Sequence, residues 1–174
     1  MPDWDEIVRR DGPAAWRSAY RLTGNRADAD ECLQEALVVA VGIARREEVR
    51  SWRALLLRLA SARALDRSRR RRRRGPFEPV ADWGAIRGPL AEPSDAAEEA
   101  ELASALREAL TRIPPKQAEA FCLHALEGWS YAEVAAQLGV STDAVGVLLH
   151  RARGRLRSLL ASSCPSGCSQ KEPS

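Results

Sequence analysis

Apolar side chains along this chain recur three and four residues apart, and that spacing predicts helices almost throughout. The pattern predicts a short helix over residues 3–10. Asp11-Gly12-Pro13 then interrupts it, with Pro13 suited to open a second helix over 13–22 that carries Trp16, Ala19 and Tyr20 at helical spacing. Gly24-Asn25 reads as a turn. Over 26–44 the stripe Ala29, Leu33, Ala36, Leu37, Ala40 predicts a longer helix with one buried side. Its other face carries Asp28, Asp30, Glu31, Gln34 and Glu35, and acidic groups near a helix start suit the dipole. A third helix is expected over 50–70, with Trp52, Leu55, Leu56, Leu59, Ala62 and Leu65 inward and Arg50, Arg53, Arg58, Arg63 and Arg67 largely off that side.

The periodicity stops at Gly75 and resumes after Ser94. The stretch between is rich in Pro and Gly and reads as a linker, although Phe77 and Trp83 are unusual in a pure spacer and are candidates to dock elsewhere. A second helical block follows. Residues 95–112 should bury Leu102, Leu106, Ala109 and Leu110, with Ile113 just beyond. Pro114-Pro115 ends that helix and starts another over 115–127, with Ala118, Phe121, Cys122 and Ala125 inward. After Gly128, Ser130 and Glu133 have capping-box spacing, and the short helix 131–138 carries Val134, Ala135 and Leu138. Gly139 suits a left-handed turn, and Ser141 suits the cap of the last helix, 142–161. The fold class is therefore all-α: two small helical domains, 1–74 and 95–161, joined by a flexible linker over 75–94. A disordered tail is expected over 162–174. Short helix, glycine turn and capped longer helix make the C-terminal domain a helix-turn-helix candidate.

Charge sharpens this picture. The net charge is only +3, but its distribution is blocked. Arg67 and Arg69 to Arg74 form one basic run, and Arg151, Arg153, Arg155 and Arg157 another. Between them an acidic stretch over 78–101 carries Glu78, Asp82, Glu92, Asp95, Glu98, Glu99 and Glu101 against Arg87 alone. Blocks of this kind point to a polyanion gripped at two places. No apolar run reaches the roughly 20 residues needed to span a bilayer, and the N-terminus lacks a signal-peptide pattern, so a cytoplasmic protein is expected. Of the four cysteines, Cys164 and Cys168 fall in the tail and are expected as free thiols, with no metal site and no disulfide. With two histidines, both in predicted helices, and no phosphate-binding loop or nucleophile set, neither an enzyme nor a cofactor is expected.

The segment "PPKQAEAFCLHALEGWSYAEVAAQLGVSTDAVGVLLHRARGRLRSLL" resembles the C-terminal domain of bacterial RNA polymerase sigma factors of the extracytoplasmic-function type. Gly128, Ser130, Tyr131, Glu133, Leu138, Gly139, Ser141, Val145, His150, Arg151 and Arg153 are among the matching positions. "YRLTGNRADADECLQEALVVA" and "SWRALLLRLASARALDRSRRRRRR" resemble the N-terminal motifs of the same family, in the family's order.

The resemblance implies that the chain binds core RNA polymerase and promoter DNA and directs transcription initiation. An anti-sigma factor is a possible further partner. Asp28, Asp30, Glu31, Gln34 and Glu35 would dock on basic coiled-coil helices of the polymerase. Arg63, Arg67, Arg70 and Arg71 would lie along the proximal promoter element. Ser141, Thr142, Asp143, Gly146, Val147, His150, Arg151 and Arg153 would meet the distal element in the major groove. Two departures stand out. The family's Val-Lys-Ser-Arg is Val145-Gly146-Val147-Leu148 here, so both basic side chains are gone; Leu148 fits the core and Val147 suits a thymine methyl. Ser61-Ala62 stands where the family often has Arg-Asn. Two other readings stay open: a helix-turn-helix regulator acting without polymerase, and a degenerate sigma-like protein acting by protein contacts.

Overall fold

A computed structural model describes residues 2–74 and 93–163, the backbone alone for 93–98 and 163. The described residues form seven α-helices and one π turn, without a strand among them: α1 (Trp4–Thr23), α2 (Arg26–Ala44), α3 (Trp52–Arg74), α4 (Pro93–Arg112), α5 (Pro115–Phe121) running into a π turn (Cys122–Leu126), α6 (Tyr131–Leu138) and α7 (Thr142–Ser163). The all-α expectation holds. The linker expected over 75–94 and the tail expected over 162–174 are each shortened by two residues, since 93–94 open α4 and 162–163 continue α7. The rest of both, the docking of Phe77 and Trp83, and the fate of Cys164 and Cys168 lie outside the described residues.

The first helix corrects the sequence reading. Instead of a break at Asp11-Gly12-Pro13, one helix runs from Trp4 to Thr23 with Pro13 inside it. An interior proline removes a backbone hydrogen bond and costs about 3 kcal/mol in an exposed helix. Here the ring sits on the exposed side, while Ile7, Asp11, Ala14, Ala15 and Ser18 on the other side are buried against α2 and α3. Burial of that continuous face outweighs the local signal. Asp11, nearly fully buried, is satisfied by the Arg10 guanidinium at 2.9 Å. The helix begins on an Asp3 side chain that accepts from Glu6 N–H, and ends at Gly24, whose φ is 66°.

Small residues set how closely the N-terminal helices approach. Ala15, Ala19, Ala29, Ala36, Ala40, Ala60 and Ala64 are wholly buried, with Cys32 beside them and Leu33 and Leu37 partly buried at the margin. Ser61 explains one of the two departures. Its side chain is buried and shares a 2.8 Å hydrogen bond with the Ser18 hydroxyl, tying α1 to α3 where a large basic side chain would have no room. Burial pushes the Cys32 and Cys122 thiols up to about 12. Neither is a nucleophile in the folded protein.

The two helical blocks share one interior. Ala109, Leu110 and Ile113 of α4, Ala118 of α5, Cys122, and Ala152 and Leu156 of α7 join the same cluster as the α1–α3 residues. Arg21 of α1 clamps the seam, donating to the Leu126 carbonyl and to the Glu127 carboxylate, each at 3.0 Å. Arg107 of α4 is buried against Gly24. A Cβ at Gly24 would lie 3.1 Å from the Arg107 guanidinium carbon, so glycine serves both the left-handed turn and the close cover. A second, smaller core lies within the C-terminal block: Ala120, Leu123, Val134, Ala135, Val145 and Leu149.

Two expected core positions are exposed. Leu102 lies one turn ahead of the packed stretch of α4 and is 60% exposed. Ala125 is exposed because the chain after Phe121 widens into a π turn, which inserts an extra residue per turn and rotates the following side chains. Leu123 takes the buried place instead.

Candidate nucleic-acid interface

The first basic surface lies where α3 runs beside α2. Ser51 caps α3, and the helix continues four residues past its expected end, through the arginine run to Arg74. Trp52 is half-buried, edge-on to Trp4 at 5.0 Å, and so belongs to the packing. The acidic face of α2 is exposed as expected at Asp30, Glu31, Gln34 and Glu35, and half-exposed at Asp28. Its carboxylates meet the arginines of α3. Arg67 Nε lies 2.9 Å from Asp28, and its other nitrogens reach Glu31 and Glu35. Arg71 lies 2.8 Å from Asp28, and Arg63 lies 3.6 Å from Glu35. Arg70 and Arg74 line the same groove beside Asp66. Asp30 stands apart and accepts the Trp16 indole N–H at 2.6 Å. Asp28, Glu31 and Glu35, assigned from sequence to polymerase docking, and Arg63, Arg67 and Arg71, assigned to DNA, thus form one ion-pair lattice. A sequence shows which residues share a helix face but not which faces of two helices meet.

The second basic surface is the outer face of α7. The capping box holds: Ser130 Oγ accepts from Glu133 N–H while Glu133 accepts from Ser130 N–H at 2.8 Å. Gly139 takes φ 65°, and α6 and α7 meet at 99°, the angle of a helix-turn-helix. Ser141 caps α7 through Ala144 N–H at 3.1 Å. Val145, Leu149, Ala152 and Leu156 are buried and Leu148 packs at the edge of the small core, as their spacing predicts. That arrangement leaves Thr142, Asp143, Val147, His150, Arg151 and Arg153 exposed together, with Gly146 half-exposed between them. Arg155 turns aside to bond the Gln117 side chain at 3.0 Å.

Tyr131 also lies on this face; in the sequence it opens a capped helix and matches the family pattern, but it is not among the expected site residues. The ring borders a shallow depression with Thr142, Asp143, Gly146, Val147 and His150. It packs edge-on to His124 at 5.0 Å, and His124 Nδ1 lies 2.6 Å from the Trp129 carbonyl. The signal available was the short turn itself, which folds the start of α6 back against the fifth residue of α7. Among the described residues no three His, Cys, Asp or Glu side chains gather as metal ligands, and no single helix is long and apolar enough to cross a membrane.

Comparison with known proteins agrees with this geometry. The family model for Sigma-70 region 2 matches residues 7–74, and that for Sigma-70 region 4 matches residues 103–156. The chain is 33% identical over 161 residues to the ECF RNA polymerase sigma factor SigE of Mycolicibacterium smegmatis, covering 92% of this chain and 63% of that protein. It is 32% identical over 161 residues to SigM of Mycobacterium tuberculosis, covering 90% and 76%. Among solved structures, the sigma factor RpoE in complex with the anti-sigma factor NepR, from Bartonella quintana, has TM-score 0.59 at 24% identity, covering 92% of this chain and 98% of that one. CnrH in complex with the cytosolic domain of CnrY has TM-score 0.58 at 24% identity, covering 92% and 88%. With both sigma regions present in order, and with relatives matched across most of their length, the chain belongs to the ECF family of RNA polymerase sigma factors.

Proposed function

We propose that the chain binds core RNA polymerase in the cytoplasm and directs it to promoters, making no bond itself. The observation that carries this reading is the presence of region 2 and region 4 in order on one chain, each with an exposed charged face. Residues 1–74 act as the polymerase-docking and proximal-element domain, and 95–161 as the distal-element domain. Asp28, Glu31, Gln34 and Glu35, with Asp30 at the margin, meet a basic polymerase surface. Charges placed this way govern orientation and on-rate more than affinity.

The ion-pair lattice adds a consequence. A basic surface that docks on Asp28, Glu31 and Glu35 competes with Arg63, Arg67 and Arg71 for the same carboxylates. Docking then turns those arginines toward phosphate, so polymerase binding and proximal-element binding favour one another. At the distal element α7 enters the major groove, with Ser141 and Thr142 at its start, and Arg151 and Arg153 reach phosphates. An anti-sigma factor is the other partner proposed. RpoE and CnrH, which share the fold, were each solved with a second protein, and the exposed apolar Val38 and Leu102 offer such a partner something to cover.

Mixing purified chain with core polymerase at low salt should give a co-eluting complex that supports run-off transcription from promoters selected out of a random library. Failure to co-elute removes the reading in favour of a regulator acting without polymerase. Co-elution without transcription leaves the degenerate sigma-like protein.

A further inference from the structure

The recognition face of α7 has an unusual chemistry for a groove-reading helix. Its first turns carry Thr142, Asp143, Ala144, Val145, Gly146 and Val147, with no Arg, Lys, Asn or Gln to make the bidentate contacts that read guanine or adenine. Val147 is 48% exposed at the centre of that face. Nothing in the fold demands glycine at 146. Its backbone is helical, outside the left-handed region that Gly24, Gly128 and Gly139 adopt, and a Cβ there would meet only Tyr131 Cε2, at an ordinary 3.7 Å. Glycine inside a helix costs about 1 kcal/mol relative to alanine. The missing side chain leaves a shallow notch at Gly146 bordered by Tyr131 and Val147, with Thr142, Asp143 and His150 around it. Tyr131 is held in place, because it opens the capped helix α6 and its ring rests on His124.

The surroundings fit duplex DNA. Exposed Arg151 and Arg153 lie one to two turns along the same helix, suited to phosphates on either side of a groove. The one apolar group that base pairs present in the major groove is the thymine 5-methyl.

We propose that the notch formed by Tyr131, Gly146 and Val147 reads a thymine methyl in the distal promoter element, with Val147 the specificity-determining residue. This rests on the promoter-reading role of α7 proposed above. Recognition here is by shape and apolar contact, with a methyl group filling space that a longer residue at 146 would occupy. The reader therefore tells thymine from uracil, a difference to which a helix reading only phosphates is blind.

The test uses holoenzyme assembled from the full chain and core polymerase, with duplexes selected from a random library. Each thymine of the selected distal element is replaced in turn by deoxyuridine, which removes the methyl and keeps every base-pair hydrogen bond. Loss of one buried methyl predicts about a fourfold weaker complex at one or two positions, and none elsewhere. Val147→Ser should abolish that difference while leaving the salt dependence of binding unchanged. Gly146→Ala fills the notch and favours the helix, so loss of thymine discrimination in that variant cannot come from unfolding. Tight, salt-dependent binding with no response to uracil at any position overturns the inference and leaves promoter reading standing. Failure of the holoenzyme to select any duplex overturns both.

Discussion

Three arginines of α3 and two of α7 stand in opposite states. On α3, Arg63, Arg67 and Arg71 are already partnered by carboxylates of α2, whereas on α7 Arg151 and Arg153 stand exposed without an ion pair among the described residues. Arg63, Arg67 and Arg71 must exchange one anion for another before they meet DNA. Those of α7 need only displace water and counterions. Counting arginines along the chain hides this split: Arg63, Arg67 and Arg71 are held by α2, while Arg70 and Arg72 to Arg74 farther along α3 stay exposed like the α7 pair.

The largest effect that separates the two surfaces should come from Arg151→Ala with Arg153→Ala. Affinity for any duplex should fall roughly tenfold, and the slope of log affinity against log salt should become shallower by about 2. An unchanged slope in anisotropy titrations would place the phosphate contacts elsewhere. Asp28→Asn probes the other surface in the opposite direction. It removes the partner shared by Arg67 and Arg71, so non-specific duplex binding by the isolated chain should rise about threefold, while stability falls by about 1 kcal/mol. If DNA affinity stays flat, the lattice is not what restrains those arginines.

Ser130→Ala removes the cap that orients Tyr131 and leaves the α2–α3 lattice untouched. It should cost about 1 kcal/mol in urea unfolding, with no gain in DNA binding. The smallest effect concerns Glu119, which sits near Arg58, Asp66 and Arg69 of α3 and Lys116, and whose carboxyl is raised above its usual value by burial. A raised carboxyl holds its proton more tightly in the folded state, so stability is greatest below the unfolded value of 4.5 and falls as pH rises through the folded one. Glu119→Gln should remove that fall, giving a slightly higher unfolding midpoint at neutral pH and none at acid pH.

Elements defined by their own local chemistry were legible in the sequence. The bounds of α2, the capping box at Ser130, the left-handed Gly139 and the cap at Ser141 are all set by side chains within a few residues, and they stand where spacing put them. What was hidden depends on distant packing. Pro13 reads as a break unless the burial of the α1 face is known. The π turn that exposes Ala125 has no local residue signature. The pairing of α2 carboxylates with α3 arginines depends on how two helices are rotated against each other. The sequence identified the recognition helix through its caps and its buried stripe. Tyr131 escaped because it comes from the neighbouring helix.

The interior shared by the two halves sets a toll on every long reach. To touch DNA at sites farther apart than the closed body spans, the chain must part Leu110 and Ile113 from the α1–α3 interior and release the Arg21 clamp. The work of parting them is subtracted from whatever grip follows. A partner that binds only the parted form must supply that work from its own contacts.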